Sequence, residues 1–409
     1  MNHSPVSPAV VHLLDWQAAL ASQPDGLSEA AQDAAIADWA QRCWLDLAVA
    51  LPHQHHAVLA HPGNLQTAAR CYLYAGEAAS GWLHSPLHGT PEAPHWNADS
   101  AALADEAARL ALGRGFCAAD AAVLGLMGAL AAIDARSNTL PEDFTRQRRH
   151  FPLLGAPRAL PFASMPRSLR QPAHPHRLYA VMGDADWVIR CLELGVKLVQ
   201  LRLKNPAPGE LDTQIARCAD AASRHGALLI INDHWEAALR HTLHRNSHGI
   251  YGIHLGQEDL QQLSDADLDR IQLAGLRLGL STHSLWELSR ALRTRPSHLA
   301  CGPVHATTTK DMPWIPLGDS NVGWWAQLLH ADAGSDHPPL PLVAIGGMTP
   351  ARAQAAAAAG ADMVAVVSDI TGAADPAAAV QALDQAIAVG QAQHDAQPAP
   401  TWPEPTLPA

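Results

Sequence analysis

Lysine is rare in this chain, and two of its three lysines lie in polar clusters that follow apolar runs. Arg202 and Lys204 alternate after one run, and Lys310 follows a threonine-rich turn after another. Because residues two apart on a strand project to the same side, Arg202 and Lys204 can clamp one polyanion. Together with Lys310, they predict a concentrated positive site for a phosphorylated substrate.

Two carboxylates lie in equivalent places, each shortly after an apolar run. Asp233 follows Leu228–Ile231, and Asp259 follows Ile253–Leu255 by a few residues. Carboxylate oxygens are suited to Mg²⁺, which commonly bridges the phosphates of a substrate. Basic groups combined with Mg²⁺ indicate a diphosphate, while the alternative role for Asp233 is the N-cap of the next helix.

A second anion site is indicated further along the chain. Gly346 and Gly347 follow one apolar run, and Ser368 follows the next. Glycines let backbone N–H groups approach a phosphate closely, and the last two loops of a parallel barrel commonly form its phosphate site.

These clusters require elements that bring them together. From residue 177 onward, eight short apolar runs alternate with alanine-rich helical stretches, which predicts an α/β fold of the (β/α)8 TIM-barrel type, with an open doubly wound sheet as the competing architecture. The predicted strands are Leu178–Met182, Lys197–Leu203, Ala227–Asn232, Gly252–Leu255, Leu276–Ser281, Leu299–Val304, Leu340–Ile345 and Met363–Val367. In such a barrel, the polar clusters at the carboxyl ends of the strands share one mouth.

The 409 residues are too many for one hydrophobic core, so we expect several units. We expect residues 1–150 to form a smaller N-terminal domain that is mainly helical or α/β. Helical periodicity is present at Ala30–Leu51 and Asp99–Ala135, and Ala57–Leu59 is a candidate short strand. Residues 151–176 are proline-rich and predict a linker or wrapping segment. The barrel spans residues 177–392, and residues 393–409 predict a disordered proline-rich tail.

Bulk properties narrow the class of protein. A net charge of −12 argues against nucleic-acid partners, and no apolar stretch is long enough to span a membrane. The start of the chain lacks the features of a secretory signal and the six cysteines are dispersed, so we expect a cytoplasmic protein with reduced thiols. His53, His55 and His56 could be metal ligands, but solvated loop histidines are the preferred interpretation. The oligomeric state is left open, a homo-oligomer included.

Six motifs in the same order resemble those of the thiamine-phosphate synthase family, over residues 177–389. They are Gln200-x-Arg202-x-Lys204, Ile231-Asn232-Asp233, His254-Leu-Gly-Gln-Glu-Asp259, Gly279-Leu-Ser281-Thr-His283, Gly302-Pro303 with Thr307-Thr-Thr309-Lys310, and Ala344-Ile-Gly-Gly347. The resemblance implies a TIM-barrel transferase that joins 4-amino-2-methyl-5-hydroxymethylpyrimidine diphosphate to 4-methyl-5-(2-phosphoethyl)thiazole, by a dissociative mechanism, and releases diphosphate. Its partners are therefore expected to be these two small-molecule substrates.

The resemblance also implies the roles of individual residues. It implies that Mg²⁺ is bound by Asp233 and Asp259 and that Gln200 meets the pyrimidine. The diphosphate would be held by Arg202, Lys204, Asn232, Ser281 and Lys310. The thiazole phosphate would be held by Thr307, Thr309, Gly347, Val367 and Ser368.

The sequence departs from the family pattern near the second phosphate site. Val367 stands where the family often has isoleucine, and Asp369 stands where it has a small residue. The valine is a mild change, because its backbone would make the contact. The extra carboxylate of Asp369 would repel a phosphate unless it points away. Residues 311–318, with Trp314, resemble the family's mobile cover.

Other interpretations remain open at the level of sequence. Residues 104–132 are faintly similar to the closing helices of hydroxymethylpyrimidine phosphate kinases. The glycine-rich anion hole expected just upstream is missing, and Asp99 is the one candidate there for the catalytic acid. We therefore expect a kinase remnant without phosphoryl transfer. A thiazole tautomerase relative would share the thiazole phosphate site without needing the diphosphate clamp. A noncatalytic regulatory or ligand-binding protein on a decayed synthase is the remaining alternative.

Overall fold

The computed structural model describes most of the chain and resolves it into a barrel and a smaller sheet domain. The described residues are 9–21, 23–24, 26–62, 70–86, 94–97, 99–166, 175–245, 249–307, 314–331, 339–394 and 400–407.

The N-terminal domain is a five-stranded sheet with helices on both faces. Its strands, in spatial as well as chain order, are β1 (Ala9–Asp15), β2 (His55–His61), β3 (Arg70–Tyr74), β4 (Ser80–His84) and β5 (Leu153–Leu154). β1 and β2 are parallel, and the remaining pairs are antiparallel. The helices are α1 (Gln17–Leu20), α2 (Glu29–Ala50), α3 (Ser100–Leu112) and α4 (Ala118–Asp134).

This domain is therefore α/β, one of the two forms that the sequence predicts. The predicted helices are present, with α3 and α4 dividing the second of them, and the predicted short strand lies within β2. His55 and His56 begin that strand, and His56 is buried, so the expectation of a solvated loop histidine is wrong for His56; His55 is exposed but lies in the strand rather than in a loop. The burial of His56 follows from the parallel pairing of β2 with β1.

The C-terminal half is a closed barrel of eight parallel strands, which confirms the predicted TIM barrel and excludes the open sheet. The strands are β6 (Leu178–Met182), β7 (Leu198–Leu201), β8 (Leu228–Asn232), β9 (Ile250–Leu255), β10 (Arg277–Thr282), β11 (His298–Cys301), β12 (Leu342–Ile345) and β13 (Met363–Val366). The helices are α5 (Ala185–Glu193), α6 (Glu210–His225), α7 (Trp235–Arg245), α8 (Gln257–Gln262), α9 (Asp265–Leu273), α10 (Leu285–Arg293), α11 (Gly318–His330), α12 (Pro350–Ala359), α13 (Ser368–Thr371) and α14 (Pro376–Gln393).

Two sets of buried apolar residues hold the barrel together. One fills the lumen and includes Val181, Ile230 and Val343. The other lies between the strands and the outer helices and continues into the N-terminal domain. Trp324 and Trp325 of α11 are buried in this second set, as expected for residues that pack against the barrel.

The proline-rich segment before the barrel wraps across the amino ends of its strands. The amide of Phe162 donates to the carbonyl of Arg295, and the amide of Met165 donates to the carbonyl of Ser297, just before β11. The Met165 side chain is buried in the lumen cluster. It therefore closes the lumen at the end opposite to the polar clusters.

The tail differs from the predicted disorder between residues 400 and 407. The Thr145 hydroxyl of the N-terminal domain donates to the Thr401 carbonyl, and the Asn321 amide of α11 donates to the Glu404 carbonyl at 2.9 Å. Trp402 packs edge-on against Phe144. Aromatic and hydrogen-bonding residues interleaved with the prolines give this segment specific partners in both domains.

In the described parts of the chain, no helix combines the length and apolar character that a membrane span requires.

Met165→Ala should lower the free energy of unfolding by about 2–5 kcal/mol, because the substitution leaves a cavity in the lumen. The measurement is urea unfolding of the full chain. Leu160→Ala is the matched control, since Leu160 is 69% exposed in the same segment, and it should change stability by less than about 0.5 kcal/mol. Equal losses in the two variants would contradict the role of Met165 as a plug.

Candidate functional site

The polar residues predicted from the sequence lie at the carboxyl ends of the barrel strands wherever the structure describes them. Arg202 and Lys204 follow β7, Asn232 ends β8, and Ser281 lies near the end of β10. Because the strands are parallel and the barrel is closed, these ends form a single mouth. Thr309 and Lys310 lie outside the described residues.

The two candidate metal ligands lie next to each other at this mouth. Asp233 directly follows β8, and Asp259 lies in the first turn of α8. Burial and the neighbouring Asp259 carboxylate raise the pKa of Asp233 to about 6, and the positive charge of Arg202 opposes this shift. Two carboxylates in contact repel each other when both are ionised. A cation bound between the two carboxylates would relieve this repulsion.

Asp233 does not have the geometry of a helix N-cap. Helix α7 begins at Trp235, two residues later, and the backbone of Asp233 has a φ of 60°. N-cap residues have extended backbone, whereas the backbone of Asp233 is in the left-handed region, which aspartate tolerates better than most residues with a side chain. The amide of Asp233 donates to the carbonyl of His254 on β9, which holds the turn in place.

Ser281 is held by two residues from the neighbouring strand and helix. His254 Nε2 lies 2.9 Å from Ser281 Oγ, and the Gln257 amide donates to the Ser281 carbonyl at 2.7 Å. Gln257 in turn accepts from Arg290 of α10 at 3.3 Å. The position of the Ser281 hydroxyl therefore depends on three elements of the barrel.

Below Ser281, the lumen contains three buried side chains with no role assigned from the sequence, Tyr179, His254 and His298, together with Gln200, which was expected to meet the pyrimidine. His254 Nδ1 lies 3.4 Å from His298 Nε2, and the Gln200 amide donates to the Tyr179 hydroxyl at 2.7 Å. The Tyr179 and His298 rings are also in edge contact. Strand alternation was the available signal, because His298 is two residues from the lumen-facing Ala300.

Both histidines of this pair are neutral at pH 7. Burial and the positive charge of Arg202 lower the pKa of His254 to about 4. Burial and the His254 ring place the pKa of His298 well below its usual value. A Cβ atom at Gly279 would lie 2.1 Å from the His298 ring and 2.6 Å from the His254 ring, so only glycine leaves room for both imidazoles.

The candidate phosphate loop after β12 depends on close backbone packing. Gly347 has a φ of 63°, and a Cβ atom there would lie 2.6 Å from the carbonyl oxygen of Ala306. The amide of His305 donates to the carbonyl of Gly346, and Arg352 donates to the carbonyl of Gly347. The loops after β11 and β12, one of which carries Thr307, are therefore packed together.

The residues after β13 complete this side of the mouth. Val367 directly precedes the short helix α13, whose first residue is Ser368. Ser368 is exposed at the start of the helix, and Asp369 beside it is half-buried. Because β13 is next to β12 in the barrel, Ser368 lies beside the loop that carries Gly346 and Gly347.

The described part of the predicted cover, from Trp314 onward, is anchored to its surroundings. The Trp314 ring lies edge-on against His283, with the ring centroids 4.7 Å apart. The amide of Ile315 donates to the carbonyl of Thr406 in the tail, and the amide of Leu317 donates to Pro303. Residues 311–313 lie outside the described residues.

Fold and mouth together define a TIM-barrel protein whose polar residues converge at the carboxyl ends of its strands. A family model described as thiamine monophosphate synthase matches residues 178–370. The chain is 44% identical over 208 residues to a thiamine-phosphate synthase of Neisseria meningitidis, covering 51% of this chain and 93% of that protein. It is 43% identical over 218 residues to the one of Cronobacter sakazakii, covering 53% of this chain and 95% of that protein. The chain belongs to the thiamine-phosphate synthase family.

A solved structure of thiamine phosphate pyrophosphorylase from Pyrococcus furiosus aligns with 52% of this chain and 95% of its own, at 24% identity and a TM-score of 0.42. The family membership rests on the sequence relatives, which match the barrel and leave the N-terminal domain unmatched in these alignments. The predicted resemblance of that domain to a kinase stays a prediction.

Gly347→Ala should weaken binding of a phosphorylated thiazole at least about tenfold, because the new methyl group forces the loops after β11 and β12 apart at a left-handed backbone position. Isothermal titration with the thiazole phosphate measures the effect. Gly183→Ala is the control, since a Cβ atom at Gly183 meets nothing within 4 Å and its φ is outside the left-handed range. Unchanged affinity in Gly347→Ala would show that this loop does not form the anion site.

Proposed function

We propose that this chain catalyses the thiamine-phosphate synthase reaction, joining 4-amino-2-methyl-5-hydroxymethylpyrimidine diphosphate to 4-methyl-5-(2-phosphoethyl)thiazole. The products are thiamine phosphate and diphosphate. The observation that carries the proposal is the paired Asp233 and Asp259 carboxylates beside Arg202 at the barrel mouth. A thiazole tautomerase relative would have no use for this combination, and the relatives with more than 40% identity are named as synthases.

The main chemical task is to stabilise charge on the leaving group. The bond between the pyrimidine methylene carbon and the diphosphate oxygen breaks, and its electron pair leaves with the diphosphate. Arg202, Lys204 and Lys310 supply positive charge, while Asn232 and Ser281 supply hydrogen-bond donors. Groups positioned where charge develops in the transition state provide the largest share of many rate enhancements.

The donor set of Asp233 and Asp259 fits Mg²⁺, since both ligands are carboxylates and their mutual repulsion is relieved by a cation. When bound, Mg²⁺ would neutralise charge on the diphosphate.

The second half of the reaction requires positioning rather than a protein nucleophile. The thiazole nitrogen donates its electron pair to the methylene carbon that the diphosphate has left. We assign the thiazole phosphate to Thr307, Thr309, Gly347, Val367 and Ser368, so that the ring nitrogen is held near that carbon. Holding two reactants in a reactive geometry removes much of the entropic cost of their encounter.

We assign the pyrimidine to the buried polar end of the lumen. Gln200 and Tyr179 are hydrogen-bonded to each other there, and the neutral His254 and His298 rings lie nearby. Neutral side chains can donate to and accept from a heterocycle without adding repulsive positive charge near the developing pyrimidine methyl cation.

We also place the reaction in the cytoplasm, because all six cysteines are free in the structure.

The reaction is tested directly by mixing the purified full chain with both phosphorylated substrates and Mg²⁺. We expect thiamine phosphate and diphosphate in equal amounts, measured by chromatography. Binding of both substrates without any product would overturn the proposal and favour the regulatory alternative.

Lys204→Ala should lower kcat/KM for the pyrimidine diphosphate about a hundredfold, in the range found when one charge-stabilising donor is removed. Steady-state kinetics with the thiazole phosphate saturating measure this loss. Lys197→Ala is the matched control on the same strand, because Lys197 lies at the amino end and donates to the His225 carbonyl. It should change kcat/KM by less than about twofold, and equal losses would contradict the assignment of Lys204.

A further inference from the structure

A buried carboxylate of the N-terminal domain contacts the start of a barrel helix. Asp120 of α4 is 1% exposed, and its Oδ1 accepts from the amide of Trp286 at 2.9 Å. The amide of Leu285 also donates to Asp120. Leu285 and Trp286 are the first two residues of α10, and the amide of Glu287 is satisfied by the Ser284 side chain.

This contact satisfies groups that have no partner within the helix. The first amides of a helix lack intrahelical acceptors and form the positive end of its dipole, which favours a carboxylate. Burial raises the pKa of Asp120 to about 6, while the two amide donors oppose the shift. A fully buried carboxylate is rare unless it is paired, so its retention among the apolar residues of α4 points to this contact.

A second contact fixes the same turn of α10. The indole nitrogen of Trp286 donates to the carbonyl of Ala78 at 3.2 Å, and Trp286 is 5% exposed. Ala78 lies in the turn between β3 and β4 of the N-terminal sheet. The backbone and the side chain of Trp286 are thus both held by residues outside the barrel.

Helix α10 is in turn connected to the candidate active site. The Glu287 carboxylate accepts from the amide of His283 at 2.7 Å and contacts its ring nitrogen at 2.8 Å. Arg290 donates to Gln257, which donates to the Ser281 carbonyl. Gln257 is on α8, the helix that carries Asp259. A shift of the first turn of α10 therefore disturbs the segment from Ser281 to His283 and the edge of α8.

We propose that Asp120 is a positioning residue for the barrel reaction: it fixes the first turn of α10 and thereby orients Ser281 towards the diphosphate. This inference rests on the proposed function of Ser281 as part of the diphosphate site. It gives the N-terminal domain a part in turnover that requires no phosphoryl transfer of its own.

The test compares Asp120→Ala and Asp120→Asn in the full chain. Asp120→Ala should raise KM for the pyrimidine diphosphate about five- to tenfold and change KM for the thiazole phosphate less than twofold. Asp120→Asn should restore most of the loss, because its side-chain oxygen still accepts from the Trp286 amide. Equal changes in both KM values, or no rescue by asparagine, would overturn the proposal.

A control variant separates positioning from stability. Leu59→Ala removes a fully buried side chain from β2, away from α10, and should lower Tm without a selective rise in KM for the pyrimidine diphosphate. If Leu59→Ala gave the same selective rise, general destabilisation would explain Asp120→Ala and the proposal would fail.

Hydrogen exchange and the binding of diphosphate test the role of Asp120 even if the wild-type chain forms no thiamine phosphate. In Asp120→Ala and, should that variant not fold, in Asp120→Ser, whose side chain is one bond shorter, amide exchange in residues 281–287 should be at least several times faster than in the wild type, whereas in Asp120→Asn it should stay close to the wild-type rate. Asp120→Ala should also bind inorganic diphosphate more weakly by isothermal titration. Unchanged amide exchange and unchanged diphosphate binding would contradict the role of Asp120. If both changes are observed but the wild-type chain shows no turnover, only the proposed function is contradicted.

Discussion

The pairing of β13 with β6 is the constraint on which the candidate site depends. It joins Val364, Ala365 and Val366 to Leu178, Tyr179 and Ala180, and so closes the sheet on itself. Closure leaves every strand paired on both sides and brings the ends of the first and last strands together, although they are far apart in sequence. Without it, Gln200 and Ser368 would lie near opposite edges of an open sheet, and no single mouth could collect polar groups from seven loops.

Closure also creates the electrostatic character of the site. The lumen excludes water, so the groups that reach into it from the mouth interact strongly with one another. This explains why His254 is neutral beneath Arg202, and why the neighbouring Asp259 carboxylate helps to raise the pKa of Asp233. The site combines charged groups at its rim with neutral hydrogen-bonding groups below, which suits an anionic leaving group above a heterocycle.

Much of the barrel was predictable, because its strands are buried on both faces and read as short apolar runs with polar ends. The same property made Arg202, Asn232 and Ser281 recognisable, since each interrupts or terminates such a run. His298 escaped assignment because it stands at the start of a strand, where a polar residue usually means exposure; here a glycine on the neighbouring strand opens space for it in the lumen. The N-terminal strands were harder, because β3 and β4 mix aromatic, charged and small residues whose burial depends on helices from distant parts of the chain.

The wrapping segment and the tail have a consequence for the history of this chain. The synthases it resembles are matched along nearly their whole length by half of this sequence, so those chains leave little room for a domain like the N-terminal one. Here the floor of the lumen is supplied by Met165, and the described part of the cover is tied to Thr406. Once a barrel relies on neighbouring segments for such parts, selection no longer preserves the residues that would let the barrel fold without them. Loss of either the wrapping segment or the tail would then destabilise the barrel, even if neither segment takes part in the chemistry.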